Sequence, residues 1–206
     1  TKPTNRKDKN GNYKTLSPAS VHRAHEILSS IFSNALRWDI VPYNPCTKVV
    51  QPKFKRTKMT CYDEETSKRL INALLEKAPI KYKCFVILAI LTGFRRGELV
   101  GLHWDDIDFK NHKISIKRSA YYLSGQPTSE KTDLSTRTIA VPSICFDLLK
   151  QWRCEQGKMR LALGKSWKGA ENVFTTADGR IMNPATGPKW FSSFLTRNGF
   201  PHIRFH

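Results

Sequence analysis

Apolar residues at helical spacing predict a first amphipathic helix near the start of the chain. Ser17 provides an N-cap and Pro18 occupies the first helical position, as is common at helix starts. Apolar positions then recur every three or four residues to about Trp38, namely at Val21, Ala24, Leu28, Ile31, Phe32 and Ala35. Residues 1–15 are polar, basic and interrupted by glycine, so they are predicted to be a loop. Two interpretations of that loop stay open, a solvated tether or a phosphate-contacting segment.

Two further helices are predicted between residues 60 and 92. Thr60 and Asp63 approximate a capping box for a helix that ends near Lys77. Residues 85–91 are continuously apolar, a run too short to span a membrane and typical of a helix at the centre of a core.

A sharp corner is predicted directly after this central helix. Gly93 ends the helix, and residues 97–102 begin a short one. Arg95 and Arg96 therefore lie between two helices, where a side chain is held rigidly and still faces solvent. Glu98 follows Arg95 by three residues, a spacing at which its carboxylate can orient the guanidinium.

After Asp108 the pattern changes from helical to alternating. Ile114 and Ile116 alternate with polar residues, and so do Ile139 and Val141. These segments are predicted to form a small antiparallel sheet. Helices are predicted again from Ser143 and from Asn183-Pro184 to Asn198-Gly199. The expected fold class is mainly α with a small antiparallel β-sheet (α+β).

The charge of the chain indicates a polyanionic partner. The 206 residues contain 35 Lys and Arg against 17 Asp and Glu, which gives a formal net charge of +18. Nucleic acid is the leading candidate, whereas a membrane surface is less favoured because no segment pairs a basic face with a long exposed apolar face. The five cysteines form no Cys-x-x-Cys pair, so neither disulfides nor zinc are expected, and the thiols suit a reducing cytoplasm.

A basic, proline-containing stretch at residues 50–58 is predicted to link two domains. The predicted domains are residues 1–49 and residues 59–206. Four basic residues of the linker are expected to contact DNA phosphates: Lys53, Lys55, Arg56 and Lys58.

The guanidinium at the corner suits phosphate chemistry. A planar fork with five donors can hold two oxygens of a phosphate whose charge changes in a transition state. The alternative is an ordinary surface salt bridge of a helix-terminal arginine.

Residues 92–99 and 102–108 closely resemble the first arginine motif of the tyrosine recombinase (phage integrase) family. The resemblance implies that Arg95, which directly follows Thr-Gly-Phe, is catalytic, and that the neighbouring Arg96 is not. Residues from Ser17 to the linker resemble the last helix of that family's core-binding domain. The implied fold is a catalytic domain preceded by part of a helical, DNA-binding domain.

Two further catalytic residues are implied by the same resemblance. Lys131, in a hairpin Lys-Thr setting, would be the general acid, and His206, after a short strand, would begin a His-x-x-Arg motif. Arg96 and Arg137 are expected to contact DNA. The second arginine and the nucleophilic tyrosine of the family are expected after His206, since Tyr121 and Tyr122 do not match the position of the nucleophile.

The implied activity is site-specific recombination of a mobile element through a 3′-phosphotyrosyl intermediate, by a tetramer on DNA and with no cofactor or metal. Two alternatives remain. A metal-dependent nuclease would use the carboxylates of Asp105, Asp106 and Asp108, although no distant ligand accompanies them. A non-enzymatic DNA-binding module would fit the charge equally well.

Overall fold

A computed structural model describes residues 3–7, 11–50, 53, 61–123, 126–129, 136–169 and 171–205. The chain divides into two compact units, residues 1–59 and residues 60–206. They are called the N-terminal unit and the C-terminal unit below. In the described part of the chain, no helix is both long and apolar enough to cross a bilayer.

The N-terminal unit begins with an antiparallel ribbon. Strand β1 (Pro3–Lys7) pairs with β2 (Tyr13–Thr15), so the prediction of a loop over residues 1–15 was wrong. Gly11 lies between the two strands with φ of 84°, a conformation that glycine adopts without strain. The ribbon was missed because neither strand has the apolar alternation by which a half-buried strand is recognised.

Helix α1 (Pro18–Arg37) forms as predicted, with the Ser17 side chain accepting a hydrogen bond from the Ser20 amide. A short 3-10 helix (Pro45–Lys48) is attached to it by polar contacts. The Asn44 amide donates to the Ser29 carbonyl at 3.0 Å. No residue of α1 is buried, although its apolar positions repeat regularly.

The C-terminal unit begins with α2 (Glu64–Lys77). Its N-cap is Asp63, whose carboxylate accepts from the Thr66 amide at 2.8 Å. The predicted capping box at Thr60 and Asp63 was therefore wrong in its assignment of the cap, since an aspartate caps a helix as well as a threonine does.

Helix α3 (Ile80–Thr92) is the central helix that the apolar run predicts. Residues 84–88 are all buried, and the helix ends where Gly93 adopts a left-handed conformation with φ of 66°. It packs against α2, against α5 (Ser143–Leu163) and against α6 (Thr186–Arg197).

Helix α6 begins two residues later than predicted. The Asn183 side chain accepts from the Ala185 amide at 2.8 Å, and the Thr186 amide donates to the Asn183 carbonyl, so residues 183–186 form a turn before the helix. Residues 201–205 are not a strand, because no described segment pairs with them. The strand expected before His206 is thus absent.

The predicted sheet is present and has a third strand. Strands β3 (Ile107–Asp108), β4 (Lys113–Ile116) and β7 (Arg137–Ala140) are antiparallel in the order β3-β4-β7. Ile114 lies opposite Ile139 in this register. A separate hairpin joins β5 (Ala120–Leu123) to β6 (Gln126–Ser129).

One hydrophobic core in the C-terminal unit joins the helices of that unit with one face of the sheet. Short helix α4 (Arg96–Val100) and a 3-10 helix (Trp104–Asp106) lie between α3 and β3. The largest fully buried side chains come from α2, α3, α4, α5 and β4 and from connecting segments: Phe85, Phe94, Phe146, Phe174, Leu74, Ile87, Leu88, Leu99, Ile114, Ile116, Leu149 and Met182. The fold class is mainly α with a small antiparallel sheet, as predicted.

Candidate active site

The backbone on both sides of Arg95 is fixed by its neighbours. Arg95 is the N-cap of α4, three residues after the end of α3. The preceding Phe94 is buried in the core, and its amide donates to the Thr92 hydroxyl at 3.2 Å. That hydroxyl donates in turn to the Leu88 carbonyl at 2.6 Å. The side chain of Arg95 therefore leaves an anchored corner.

The Glu98 carboxylate accepts two hydrogen bonds from Arg95. Its carboxylate accepts the Arg95 amide at 3.0 Å and the Arg95 Nη1 at 3.2 Å. The first contact caps the helix start, and the second orients the guanidinium. The Glu98 side chain is only 2 % exposed, whereas that of Arg95 is 78 % exposed. A buried anion thus holds a cation whose other donors face solvent.

A second guanidinium binds the same carboxylate from the sheet. Arg137, the first residue of β7, donates from Nη1 to Oε1 of Glu98 at 3.1 Å and from Nη2 to Oε2 at 2.9 Å. The prediction that Arg137 contacts DNA did not include this bidentate contact with Glu98. The contact depends on tertiary packing between α4 and β7, which no local pattern encodes.

Two glycines let α4 lie close to the start of β5. A Cβ atom on Gly97 would lie 2.7 Å from the Ser119 hydroxyl and 2.8 Å from the Ala120 carbonyl oxygen. A Cβ on Gly101 would lie 3.0 Å from the Ala120 amide nitrogen. Since no other residue fits without displacing backbone, these glycines set the distance between the arginine corner and the β5–β6 hairpin.

The aspartates that suggested a metal site have other partners. Asp106 is buried and accepts from Arg118 Nη1 at 2.7 Å, with Lys117 Nζ at 3.1 Å. Asp108 accepts from Asn111 and from the Lys110 amide, and these hydrogen bonds, led by that of the Asn111 side chain, lower its pKa. Within the described ranges, no three His, Cys, Asp or Glu residues lie together as a metal site requires.

Comparison with known proteins decides the family. Residues 61–206 match the model of the phage integrase family. The chain belongs to that family. Among curated relatives, it is 34 % identical over 151 residues to the ICEBs1 integrase of Bacillus subtilis, covering 72 % of this chain and 41 % of that protein. It is 29 % identical over 212 residues to a XerC-like tyrosine recombinase of Caldanaerobacter subterraneus, covering 92 % and 53 %.

Solved integrase structures share the fold. The Tn1549 transposon integrase in complex with a circular intermediate DNA matches with a TM-score of 0.72 at 17 % identity, over 91 % of this chain and 60 % of that one. A lambda integrase dimer bound to a core site matches with a TM-score of 0.57 at 17 % identity, over 91 % and 59 %. The chain spans about half the length of the curated relatives, from 41 % to 53 % in the two above.

The structure brings together three of the predicted site residues of this integrase-family chain, namely Arg95, Glu98 and Arg137. Arg96 is exposed at the start of α4 and lines a cleft with His202 and Arg204. The remaining predicted residues divide into Lys53, which is exposed, and five that lie outside the described residues: Lys55, Arg56, Lys58, Lys131 and His206.

The segment that precedes His206 is anchored to the core. The Tyr62 hydroxyl donates to the Pro201 carbonyl. The ring of Phe205 stacks on Phe85 at 5.5 Å and meets Phe191 edge-on at 5.7 Å. The backbone is therefore fixed up to the residue before the predicted catalytic histidine.

Tyr121 and Tyr122 lie in strand β5, where their backbones pair with Thr128 and Pro127 of β6. This placement agrees with the interpretation of both tyrosines as strand residues.

Proposed function

We propose that this chain is part of a site-specific DNA recombinase that cuts and rejoins strands through a 3′-phosphotyrosyl intermediate. Membership of the phage integrase family supports the proposal. The observation that carries it is the Arg95 guanidinium, 78 % exposed on an anchored corner and oriented by a carboxylate that is 2 % exposed. Such a cation meets a phosphate with little reorganisation, which is what transition-state stabilisation requires.

Arg95 would hold the non-bridging oxygens of the scissile phosphate. Its Nη1 donates to Glu98, which leaves the other N–H groups of the fork for the phosphate. Negative charge grows on those oxygens as the phosphorus becomes five-coordinate. A fixed guanidinium binds that charged state more strongly than the ground state, and the reaction is accelerated accordingly.

The proposed reaction breaks one phosphodiester bond and forms another, with the phosphate held on the tyrosine in between. A tyrosine hydroxyl attacks phosphorus and gives its proton to His206, while the bond from phosphorus to the 5′ oxygen breaks and that oxygen takes a proton from Lys131. A second 5′ hydroxyl then attacks the phosphotyrosine and returns a proton to Lys131. The tyrosine leaves with the proton held by His206, and a new strand is joined. The proposal places the nucleophilic tyrosine and the second arginine after His206 in the full-length protein, and it needs no oxidant, nucleotide or metal.

Double-stranded DNA is the proposed partner. The net charge of +18 supplies long-range attraction to phosphates. Lys53, a described residue of the linker, is exposed and can contact a phosphate. A solved lambda integrase forms a tetramer on a Holliday junction and shares this fold with a TM-score of 0.57. We propose the same assembly for the full-length protein on DNA.

Covalent trapping tests the proposal. The full-length protein is incubated in EDTA with nicked duplexes taken from the DNA that flanks its gene, and the products are separated on a denaturing gel. The expected result is a protein–DNA adduct with a free 5′ hydroxyl. Metal-dependent cleavage without an adduct would support a nuclease, and binding without cleavage would support a DNA-binding module. The 206 residues alone are expected to bind DNA and form no adduct.

A further inference from the structure

We infer that Arg137 is a positioning residue of the proposed active site, which holds Glu98 and through Glu98 fixes the guanidinium of Arg95. The inference rests on the proposed function. It assigns to a strand residue, 42 positions away in sequence, the task of orienting the arginine that would meet the phosphate.

The guanidinium groups of Arg95 and Arg137 donate unequal numbers of hydrogen bonds to the Glu98 carboxylate. Arg95 reaches the Glu98 side chain through one guanidinium nitrogen at 3.2 Å, whereas Arg137 reaches it through two, at 3.1 and 2.9 Å. A bidentate pair fixes the plane of a carboxylate, and a single contact does not. The Arg95 amide also holds Oε2 of Glu98, at 3.0 Å. Of the two guanidinium groups, Arg137 therefore holds the carboxylate the more firmly, and the direction of the Arg95 guanidinium depends on that contact.

Burial makes this dependence strong. The Glu98 side chain is 2 % exposed, so water can replace a lost partner only poorly. Arg137 is 41 % exposed and lies on the rim, where it neutralises the carboxylate from one side. Without it, the buried anion would keep the Arg95 amide and Nη1 contacts but lose its bidentate partner, and the Arg95 guanidinium would be held less firmly.

The same contact joins the arginine corner to strand β7. Arg137 begins β7, and Lys131 precedes it by six residues in the connection from β6. Gly97 and Gly101 let α4 pack closely against Ser119 and Ala120, at the start of the β5–β6 hairpin. The start of β5 and the start of β7 are therefore both in contact with the element that carries Arg95.

The test compares variants of the full-length protein in three measurements. These are the rate of adduct formation at saturating protein, the Kd for the same DNA, and the melting temperature. The variants are Arg137→Gln, Arg137→Lys, Glu98→Gln and the double variant of Glu98→Gln with Arg137→Gln. Arg118→Gln is the matched control, because Arg118 also donates to a buried carboxylate, that of Asp106, at 2.7 Å.

The expected result is a loss of rate without a loss of affinity. Arg137→Gln should lower the adduct rate about 30-fold and change Kd less than about threefold, since a misdirected catalytic group costs rate. Arg137→Lys should lose about 10-fold, because lysine keeps the charge and not the fork. The double variant should be no slower than Glu98→Gln alone within about twofold, since both act through one carboxylate. Arg118→Gln should lower the melting temperature and leave the rate unchanged.

Three outcomes would overturn the inference. An unchanged rate in Arg137→Gln would remove the positioning role. A weaker Kd with a normal rate at saturation would make Arg137 a DNA contact only. An equal loss of rate in Arg118→Gln would assign the effect to stability.

A readout that needs no activity separates the inference from the proposed function. In the 206-residue chain, the Nε–Hε group of Arg95 should be ordered in the wild type and in Arg118→Gln, and mobile in Arg137→Gln, as seen by heteronuclear NMR relaxation. Equal order in all three chains contradicts the inference. An absent adduct in the wild-type full-length protein contradicts the proposed function, whichever result the NMR gives.

Discussion

Glu98 and Asp106 are buried carboxylates, eight residues apart, that have the same local hydrogen-bond arrangement and different roles. The Glu98 and Asp106 side chains are 2 % and 1 % exposed, and each accepts the amide of the residue three positions earlier. Within the described part of the chain, each also binds two cationic side chains. The difference lies in the cations. Arg95 on Glu98 is 78 % exposed, whereas Arg118 on Asp106 is 27 % exposed.

The comparison shows which part of a buried ion pair indicates chemistry. Burial and pairing are common to both sites, and buried pairs are by themselves weak evidence of either stability or function. Glu98 holds the more exposed cation, since Arg95 is 78 % exposed whereas Lys117 and Arg118 on Asp106 are 47 % and 27 % exposed. The remaining N–H groups of Arg95 can therefore meet an anion. Asp106 fastens β4 and its flanking residues to the 3-10 helix, whereas Glu98 presents a cation to solvent.

Within the comparison of Glu98 with Asp106, the largest effect is expected from removing each negative charge in turn. Glu98→Gln and Asp106→Asn should each lower the free energy of unfolding by about 2 kcal/mol, because charge-assisted hydrogen bonds are lost in a buried setting. Only Glu98→Gln should also lower the rate of adduct formation by the full-length protein, by about 100-fold. Urea unfolding and the gel assay measure the two quantities. Loss of activity in both variants would erase the distinction between the sites.

A medium effect is expected at the glycines that seat α4. Gly97→Ala should destabilise the chain by about 1–3 kcal/mol, since its Cβ would lie 2.8 Å from the Ala120 carbonyl oxygen. Gly157→Ala is the control within α5, where a Cβ meets nothing within 4 Å. That change should stabilise the chain by about 0.5–1 kcal/mol. Similar melting temperatures for both variants would show that α4 is not closely seated on β5.

The smallest effect is expected from pH near Asp106. Burial, followed by the nearby Arg118 charge, lowers the pKa of His103 below its usual value. As pH falls through about 6.5, the unfolded chain therefore binds a proton before the folded chain does, and stability decreases. His103→Gln should reduce the loss of unfolding free energy between pH 7.5 and pH 5.5. The exposed His202→Gln serves as control, and an equal reduction there would refute this assignment.

Local pattern predicted the helices and the arginine corner because their causes are local. The apolar run at residues 85–91 and the end of the helix at Gly93 are both readable from neighbouring residues. The Arg95–Glu98 contact follows from a spacing of three. Arg137 on Glu98 was not predictable in the same way, since it needs the β4–β7 register and the packing of α4.

The apolar pattern also says nothing of what covers a helix. Helix α1 has a regular apolar stripe and no buried residue, whereas the stripe of α3 is enclosed by α2, α5 and α6. The ribbon of β1 and β2 was not predicted for a related reason, because backbone pairing between polar strands leaves little trace in hydropathy.

The most direct measurement compares Arg95→Lys with Arg96→Lys in the full-length protein on a nicked substrate that traps the covalent adduct. Lysine keeps the charge at each position and removes the fork. Arg95→Lys is expected to slow adduct formation by about 10²- to 10³-fold while DNA affinity changes less than about threefold, since one preorganised contact contributes about 3–4 kcal/mol in a transition state. Arg96→Lys is expected to retain nearly full activity. An active Arg95→Lys beside an inactive Arg96→Lys would contradict the assignment of the catalytic arginine.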